Sequence, residues 1–592
     1  MSRLRRNSVK RPKFAIGRGY VRPMNPKTFS VPALAAAVLA LAGSATAGGI
    51  PIYAKGVPLC KPQRHSAACD AMRRVLARPG TRGARPLVAT PAGTTGPSGG
   101  LTPADITGVY GLSGTGSGQT VAIVDAYNDP KLDADLQTFD AEYGLAACSI
   151  ASGCLKVVNE TGGSTLPAND TTGWSGEESL DVEAVHAVCS GCKIVLVEAS
   201  SDSDGDLGTA ENTAANTLHA TEISNSFGEP ETGSGTTFAH AFDHPGVVIT
   251  ASSGDDGYYD YDLLGGSGKI SAPSVPAAYP TVVAVGGTSL YLAQASTPTR
   301  AYETVWNDNG PQDAYEQALN SALGASGGGC STRFSAPAWQ SNVSGYAAAA
   351  CGDKRLVADV AMVADPLTGF DVYDSYTGCS GCKAGWETIG GTSLSAPLAA
   401  AAFALAGGAH GLQYPAVALY SHTASAHYDV TVGGNGLCGG ETAAQCPDAN
   451  TGGASDLGFG IVDCAYDRVG NVAAGTGACD ATVGFDGPTG IGTPASTKLF
   501  SQPKLSVKAI AGPTTASHGS PGGAWSITAT DPAPGGAVTC TWSWGDGSAN
   551  STGCATSLSH TYATAGAKTI TVTTHDGYGL VGTTKKKTVT VS

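Results

Sequence analysis

The stretch Gly390-Gly391-Thr392-Ser393-Leu394-Ser395-Ala396-Pro397 runs directly into Leu398-Ala399-Ala400-Ala401-Ala402-Phe403-Ala404-Leu405, a small-residue run of strong helix formers. Two glycines permit a tight turn that a side chain would obstruct. A proline in the first turn of a helix costs little, because its missing N–H would be unpaired there anyway. The stretch therefore predicts a turn that puts Ser393 at the start of a buried helix, with Pro397 in the first turn. A hydroxyl there meets free backbone N–H groups and the positive end of the helix dipole. Ser393 reads either as a cap or as a nucleophile, and what the rest of the chain brings to it decides between them.

Upstream lie four short apolar runs: Gln119 to Asp125, Lys193 to Val197, Gly246 to Ala251 and Thr281 to Val285. Helical patterns such as Leu132 to Glu142 and Glu178 to Val188 separate them. Near-continuously apolar strands alternating with helices predict an α/β fold with a parallel sheet covered on both faces. In such sheets, sites form at the carboxyl ends of the strands. From about Pro503 the pattern changes to alternating strands, Lys568 to Val572 and Thr588 to Val591, with Asp-Gly turns, which predicts an antiparallel β-sandwich.

Length and charge bound the function. At 592 residues the chain is too long for one ordinary domain. A net charge of -14, with no basic face after the N-terminus, argues against nucleic acid as a partner. Residues 1–47 read as a signal peptide: basic residues, an apolar segment from Val31 to Gly43, then Ala45-Thr46-Ala47. That apolar segment is too short to span a membrane. A start at Met24 would give a signal of ordinary size. The 16 cysteines fit export and fall as near neighbours: Cys60/Cys69, Cys148/Cys154, Cys189/Cys192, Cys330/Cys351, Cys379/Cys382, Cys438/Cys446, Cys464/Cys479 and Cys540/Cys554. The two Cys-Ser-Gly-Cys pairs could also form a zinc or redox site, although no His cluster accompanies them. Residues 48–100 read as a propeptide or linker, and the stretch before Leu101 as the place where maturation cuts.

A Ser hydroxyl needs an adjacent base to become a nucleophile. Two base systems compete for Ser393. In Gly176-Glu177-Glu178-Ser179-Leu180-Asp181, Glu177 and Asp181 are four residues apart and share a helix face. Two carboxyls held together cannot both ionise easily, so the pair can act as base and orienting group below neutral pH. The alternative is a subtilisin-like set, Asp125, His186 and Ser393, in that chain order. His186 sits on an apolar helix face, where a packed core histidine is the commoner role. The stretch Ala251-Ser252-Ser253-Gly254-Asp255-Asp256-Gly257 bears on the choice, because acyl transfer needs a donor where the oxyanion forms. An ionised Asp255 would repel an oxyanion, whereas a protonated one would donate to it.

E-x-x-x-D at Glu177/Asp181, S-G-D at Asp255 and G-G-T-S-x-S-A-P at Ser393 together resemble the sedolisin (serine-carboxyl peptidase) family. Further matches are Ile223-Ser224-Asn225-Ser226-Phe227-Gly228, Ala358-Asp359-Val360 and Ala364-Asp365-Pro366. The resemblance covers roughly 101–500. It implies a subtilisin-like fold with Ser393 as nucleophile, Glu177 as general base, Asp181 holding Glu177, and Asp255 in the oxyanion hole. It also implies one calcium ion near the C-terminus of that domain. The matching residues are Asp429, Val430, Thr482, Gly484 and Asp486, and carboxylates with backbone carbonyls are suitable hard ligands. Phe227 stands where several relatives have Trp. Trp542-Ser543-Trp544-Gly545-Asp546-Gly547-Ser548 with His560-Thr561-Tyr562 resembles a PKD domain.

The expected organisation is thus a signal over 1–47, a propeptide or linker over 48–100, a peptidase domain over 101–502 and a PKD-like sandwich over 503–592. The expected protein is a secreted monomer that hydrolyses proteins or peptides at acidic pH, its PKD-like domain serving as a spacer or as a binder of insoluble substrate. A catalytically silent surface-binding protein is the reading from another class.

Overall fold

The computed structural model describes residues 52–60, 66–78, 81, 85–87, 96–231, 237–258, 272–293, 298–308, 324–379, 381–422, 424–436, 447–448, 453–454, 461–462, 477–554 and 557–592. The signal segment, Met24, Cys438, Cys446 and Cys464 lie outside these residues.

The N-terminal segment contributes β1 (Tyr53–Pro58), β2 (Ala68–Cys69) and β3 (Met72–Ala77). The following strands are β4 (Thr120–Ala126), β5 (Leu155–Asn159), β6 (Lys193–Ala199), β7 (Glu222–Asn225), β8 (Phe227–Pro230), β9 (Val248–Ser252), β10 (Val283–Leu292), β11 (Arg300–Val305) and β12 (Val360–Val363). An eight-stranded sheet runs in the order β11-β10-β9-β7-β4-β6-β5, with β12 also paired to β10. All its pairings are parallel except β10 with β11. Its strands are buried almost throughout, as near-continuous apolar runs require.

Four helices matter for the site: α1 (Leu132–Tyr143), α2 (Trp174–Val188), α3 (Asp204–Asn216) and α4 (Thr392–Ala406). Helix α4 is buried from Thr392 to Ala404 and packs against α2, β7, β9 and β12. Its alanines let neighbours approach closely, so it serves as a central core element. Helix α2 is buried at every position, including Glu177, Glu178, Asp181, Glu183 and His186. So many ionisable groups in one buried helix must be neutral, paired or hydrogen-bonded.

Residues 48–100, read as a propeptide or linker, are built into the folded unit where they are described. Strand β3 pairs antiparallel with β1 along its whole length and with β14 (Gly385–Gly390), which pairs in turn with β13 (Phe370–Asp374). Strand β2 pairs with β8.

Two expectations about α4 need separating. Ser393 lies at the start of a buried helix, but Pro397 lies inside that helix rather than in its first turn. An interior proline cannot donate to the carbonyl four residues back. That carbonyl belongs to Ser393, and Ser226 Oγ donates to it instead (3.2 Å). The proline is tolerated because a neighbouring side chain takes over the lost bond.

The C-terminal domain is a sandwich whose main sheet contains β15 (Thr539–Ser543), β16 (Gly566–His575) and β17 (Lys585–Val591). Trp525, Trp542, Trp544 and Tyr562 fill its core. The sandwich abuts the larger domain: Gln413 N donates to Tyr578 O (3.1 Å), and Tyr578 meets Trp339 edge-on at 5.5 Å.

Cystines join Cys60–Cys69, Cys148–Cys154, Cys189–Cys192, Cys330–Cys351, Cys379–Cys382 and Cys540–Cys554. Both Cys-Ser-Gly-Cys motifs are therefore cystines, which removes the thiolates that a zinc site there would need. Cys479 is also disulfide-bonded, and its expected partner Cys464 is outside the described residues.

Candidate active site

Gly391 opens α4 at φ 96°. A Cβ there would come within 2.1 Å of Asp70 O and 2.6 Å of Asp255 Oδ2, so only glycine fits. Thr392 donates twice to Asp255 Oδ1, from its backbone N (2.7 Å) and from Oγ1 (2.9 Å). The Thr392 hydroxyl accepts from Gly254 N (3.1 Å), which ties the loop after β9 to the helix start. Asp255 Oδ2 is buried and makes no hydrogen bond. Burial and the nearby Asp70 carboxyl push the Asp255 carboxyl well above its ordinary range, against the bonds from Thr392. Its surroundings thus favour the protonated acid, and one free oxygen faces the space over Gly391.

Ser393 is fully buried, and its Oγ donates to the Ser226 carbonyl (3.1 Å). The Glu177 carboxyl lies beside that hydroxyl. Burial raises its pKa strongly, the Asp181 and Asp125 carboxyls add to the rise, and the Ser393 hydroxyl opposes it. Neither Glu177 oxygen has a well-formed hydrogen bond, so the Ser393 proton points at Ser226 in this state. Asp181 is likewise raised by burial, with the Ser226 hydroxyl opposing. Asp125 ends β4, and burial, Asp181 and Glu198 raise it. Carboxyls that close share protons as a group, and their titration belongs to the cluster.

The structure thus brings Ser393, Glu177, Asp181 and Asp255 to one place, with Asp125 behind Asp181. His186 faces elsewhere: its Nε2 contacts Asp140 Oδ1 (3.1 Å) and Ala146 O (2.8 Å). The alternative set of Asp125, His186 and Ser393 is accordingly not assembled. Phe227 supplies no donor and packs near Trp174, ring centroids 6.3 Å apart.

Sequence reading misses Asp70, Ser226, Ser252 and Thr392. The N-terminal segment passes through the site. Asp70 N donates to Ser226 O (3.2 Å), and Ser393 N donates to Asp70 O (2.9 Å). Ser252 Oγ donates to Asp70 Oδ2 (2.7 Å). Asp70 is carried up to about 7 by burial, with the Ser252 bond opposing and Asp256 adding. The Cys60/Cys69 pair is the one sequence sign that this segment is folded.

At the expected calcium position, Asp486 is fully buried and accepts from Thr482 N (2.8 Å), Thr489 N (3.0 Å) and Thr489 Oγ1 (2.8 Å). Asp429 accepts from Gly484 N (3.0 Å) through Oδ2, while its buried Oδ1 has no partner. The two carboxyls interact across the site, and Val430 is buried beside them. A pair of carboxyls with an orphaned oxygen fits a hard cation. Among the described residues, one separate acidic cluster, Asp129, Asp135 and Asp374, has a ligand-like spacing, and backbone N–H groups already bond to each of its members.

A model of the subtilase family matches residues 164–436, and a PKD domain model matches 507–591. Kumamolisin from Bacillus sp. (strain MN-32) is 33% identical over 57% of this chain and 58% of its own length. Sedolisin from Pseudomonas sp. (strain 101) is 30% identical over 62% of this chain and 60% of its own. The chain thus spans less than two thirds of the length of these relatives. The solved structure of Pseudomonas sedolisin, a serine-carboxyl proteinase complexed with two molecules of pseudo-iodotyrostatin, superposes with a TM-score of 0.52 at 28% identity, covering 68% of this chain and 98% of that one. A subtilisin-like sheet, its carboxyl-lined site, the relatives and the matched sandwich point one way: the chain is similar to sedolisin-family proteins and carries a C-terminal PKD domain.

Proposed function

We propose that this protein is a secreted serine-carboxyl endopeptidase that hydrolyses peptide bonds of proteins at acidic pH. The observation that carries the reading is the placing of the Ser393 hydroxyl between a carboxyl base and a neutral, half-free carboxylic acid. Ser393 attacks the substrate carbonyl. Glu177 takes the Ser393 proton and returns it to the leaving amine. Asp181 holds Glu177 and shares its proton load. The developing oxyanion meets the Ser393 backbone N–H and the protonated Asp255 Oδ2. Glu177 must be ionised and Asp255 neutral, so activity forms a bell whose alkaline side falls when Asp255 ionises. The expected optimum is below about pH 6.

Calcium belongs to the same proposal. Asp429 and Asp486, with carbonyls of the Val430, Thr482 and Gly484 segments, would hold one ion, which would neutralise two adjacent buried carboxylates and brace the loop. Export rests on the 1–47 segment; among the described residues no helix is long and apolar enough to cross a membrane. The PKD domain is proposed as a spacer or a binder of insoluble substrate.

The test is a pH–rate profile of the purified chain on casein, with Ser393→Ala, Glu177→Gln and His186→Ala alongside. Loss of hydrolysis in the first two, and an acidic profile kept in the third, is expected. An alkaline optimum that disappears in His186→Ala would favour the histidine-based alternative.

A further inference from the structure

The segment Ala67 to Arg73 lies on the candidate nucleophile as a substrate would. Asp70 N donates to Ser226 O, and Asp70 O accepts from Ser393 N. The Asp70 carbonyl also shares the space over Gly391 with the free Oδ2 of Asp255. Those are the two donors that the proposed mechanism assigns to an oxyanion. Before this carbonyl the chain is extended, with Ala68 opposite Gly228 and Cys69 opposite Phe227. After it the chain is extended again, with Met72 opposite Gly390 and Arg73 opposite Ile389. Ser393 is fully buried although it sits in a cleft, because this segment covers it. The peptide bond that crosses the catalytic centre is therefore Asp70–Ala71.

The Asp70 side chain is recognised separately from its backbone. It is almost fully buried and receives the Ser252 hydroxyl. The carboxyls of Asp255, Asp256 and Glu177 stand around it. An aspartic acid side chain suits this place in its neutral form, because it can accept from Ser252 without adding a charge.

We propose that Asp70–Ala71 is the bond this protein cuts in itself, and that Ser252 makes the subsite on the amino side of the cut selective for aspartic acid. The proposal rests on the peptidase reading and specifies its substrate. Ser393 Oγ adds to the Asp70 carbonyl carbon while its proton passes to Glu177. The C–N bond to Ala71 breaks, and the Ala71 nitrogen takes that proton. Water then adds to the acyl carbon and gives one proton to Glu177. The ester opens, leaving the Asp70 carboxyl group, and Ser393 Oγ recovers the proton. The new chain begins at Ala71. The fragment ending at Asp70 stays docked, because all six residues of β1 pair with β3 across the cut.

The first test uses the full chain incubated at acidic pH and read by intact mass and N-terminal sequencing. Wild type should gain an N-terminus at Ala71, and Ser393→Ala should stay uncut. The second uses processed enzyme and two matched peptides, with Asp or Leu before the scissile bond. Wild type should favour the Asp peptide. Ser252→Ala should lose about tenfold in kcat/KM on it, the value of one hydrogen bond to a buried polar group, and change less than about twofold on the Leu peptide. Retained hydrolysis of the Leu peptide also shows that the variant is folded. A wild type that cleaves peptides but stays intact at 70–71, or is cut only near Leu101, overturns the self-cleavage. Equal loss on both peptides overturns the role of Ser252. If wild type cleaves no peptide at all, the peptidase reading itself fails.

Discussion

In the proposed mechanism, one atom of Asp255 would set the working pH. Its Oδ1 is held by Thr392 through two bonds, so the proton must sit on Oδ2. A carboxylic acid donates only while protonated, whereas an amide donates at every pH. Asp255→Asn can keep Oδ1 as the acceptor for Thr392 and put an N–H where Oδ2 now stands. This variant should retain activity within about tenfold of wild type at acidic pH and extend it to higher pH, its alkaline limb displaced. Asp255→Ala should lower kcat by about 10²- to 10³-fold at all pH values, the usual cost of one oxyanion donor. Profiles of kcat against pH check both. An alkaline limb that does not move in Asp255→Asn would assign it to another group.

At the scale of elements, α4 depends on an exchange between Pro397 and Ser226. The proline leaves the buried Ser393 carbonyl without its helical partner, and Ser226 Oγ supplies one. Ser226→Ala should therefore cost about 1–3 kcal/mol of stability, the usual penalty for a buried acceptor left unpaired. In a Pro397→Ala background, the introduced alanine can donate its N–H to that carbonyl, and the same Ser226→Ala change should cost less. A double-mutant cycle by urea unfolding measures the coupling, and additive losses would count against this account. Such dependence also explains what is legible in the sequence. Strands β4, β6, β9 and β10 and helix α1 follow from runs of apolar residues, and Ser393, Glu177, Asp181 and Asp255 from local spacing. Asp70 carries no such signal. It lies between the short strand β2 and strand β3, and their partners, β8 and β14, stand far away in sequence. The place of Pro397 in its helix escapes sequence reading for the same reason, since the bond that rescues it comes from another part of the chain.

At the scale of the whole molecule, the buried carboxyls of the larger domain and Asp546 of the PKD domain are expected to respond oppositely to acid. Chelation should act on the larger one: if calcium bridges Asp429 and Asp486, EDTA should lower Tm, and added calcium should raise it with concentration. An unchanged Tm would argue against the ion. The stability of the same domain against pH follows from its buried carboxyls. Glu211 and Glu222 are fully buried away from the proposed chemistry, and burial carries each to about 8, against bonds from Asn225 and Thr221 respectively. Their folded-state values lie above the unfolded value near 4.5. Between those limits the native state holds more protons than the unfolded state, so stability falls as pH rises. Their contribution is fully present below about pH 4.5 and is lost progressively up to about pH 8. The pair accounts for several kcal/mol, because each tenfold change in proton affinity between the two states is worth about 1.4 kcal/mol. In the PKD domain, Asp546 behaves oppositely. Burial raises it, but bonds from Ser548 and His560 prevail and bring it to about 2. Its stabilising effect is present above about pH 4 and is lost as pH falls toward 2. Calorimetry at fixed calcium should thus show a Tm that declines from about pH 4.5 to about pH 8, and Glu222→Gln should flatten the decline because the amide cannot ionise. A Tm that is level or rising across that interval in wild type would mean that these carboxyls are solvated or paired in solution, and the acid-adapted core inferred from them would fall.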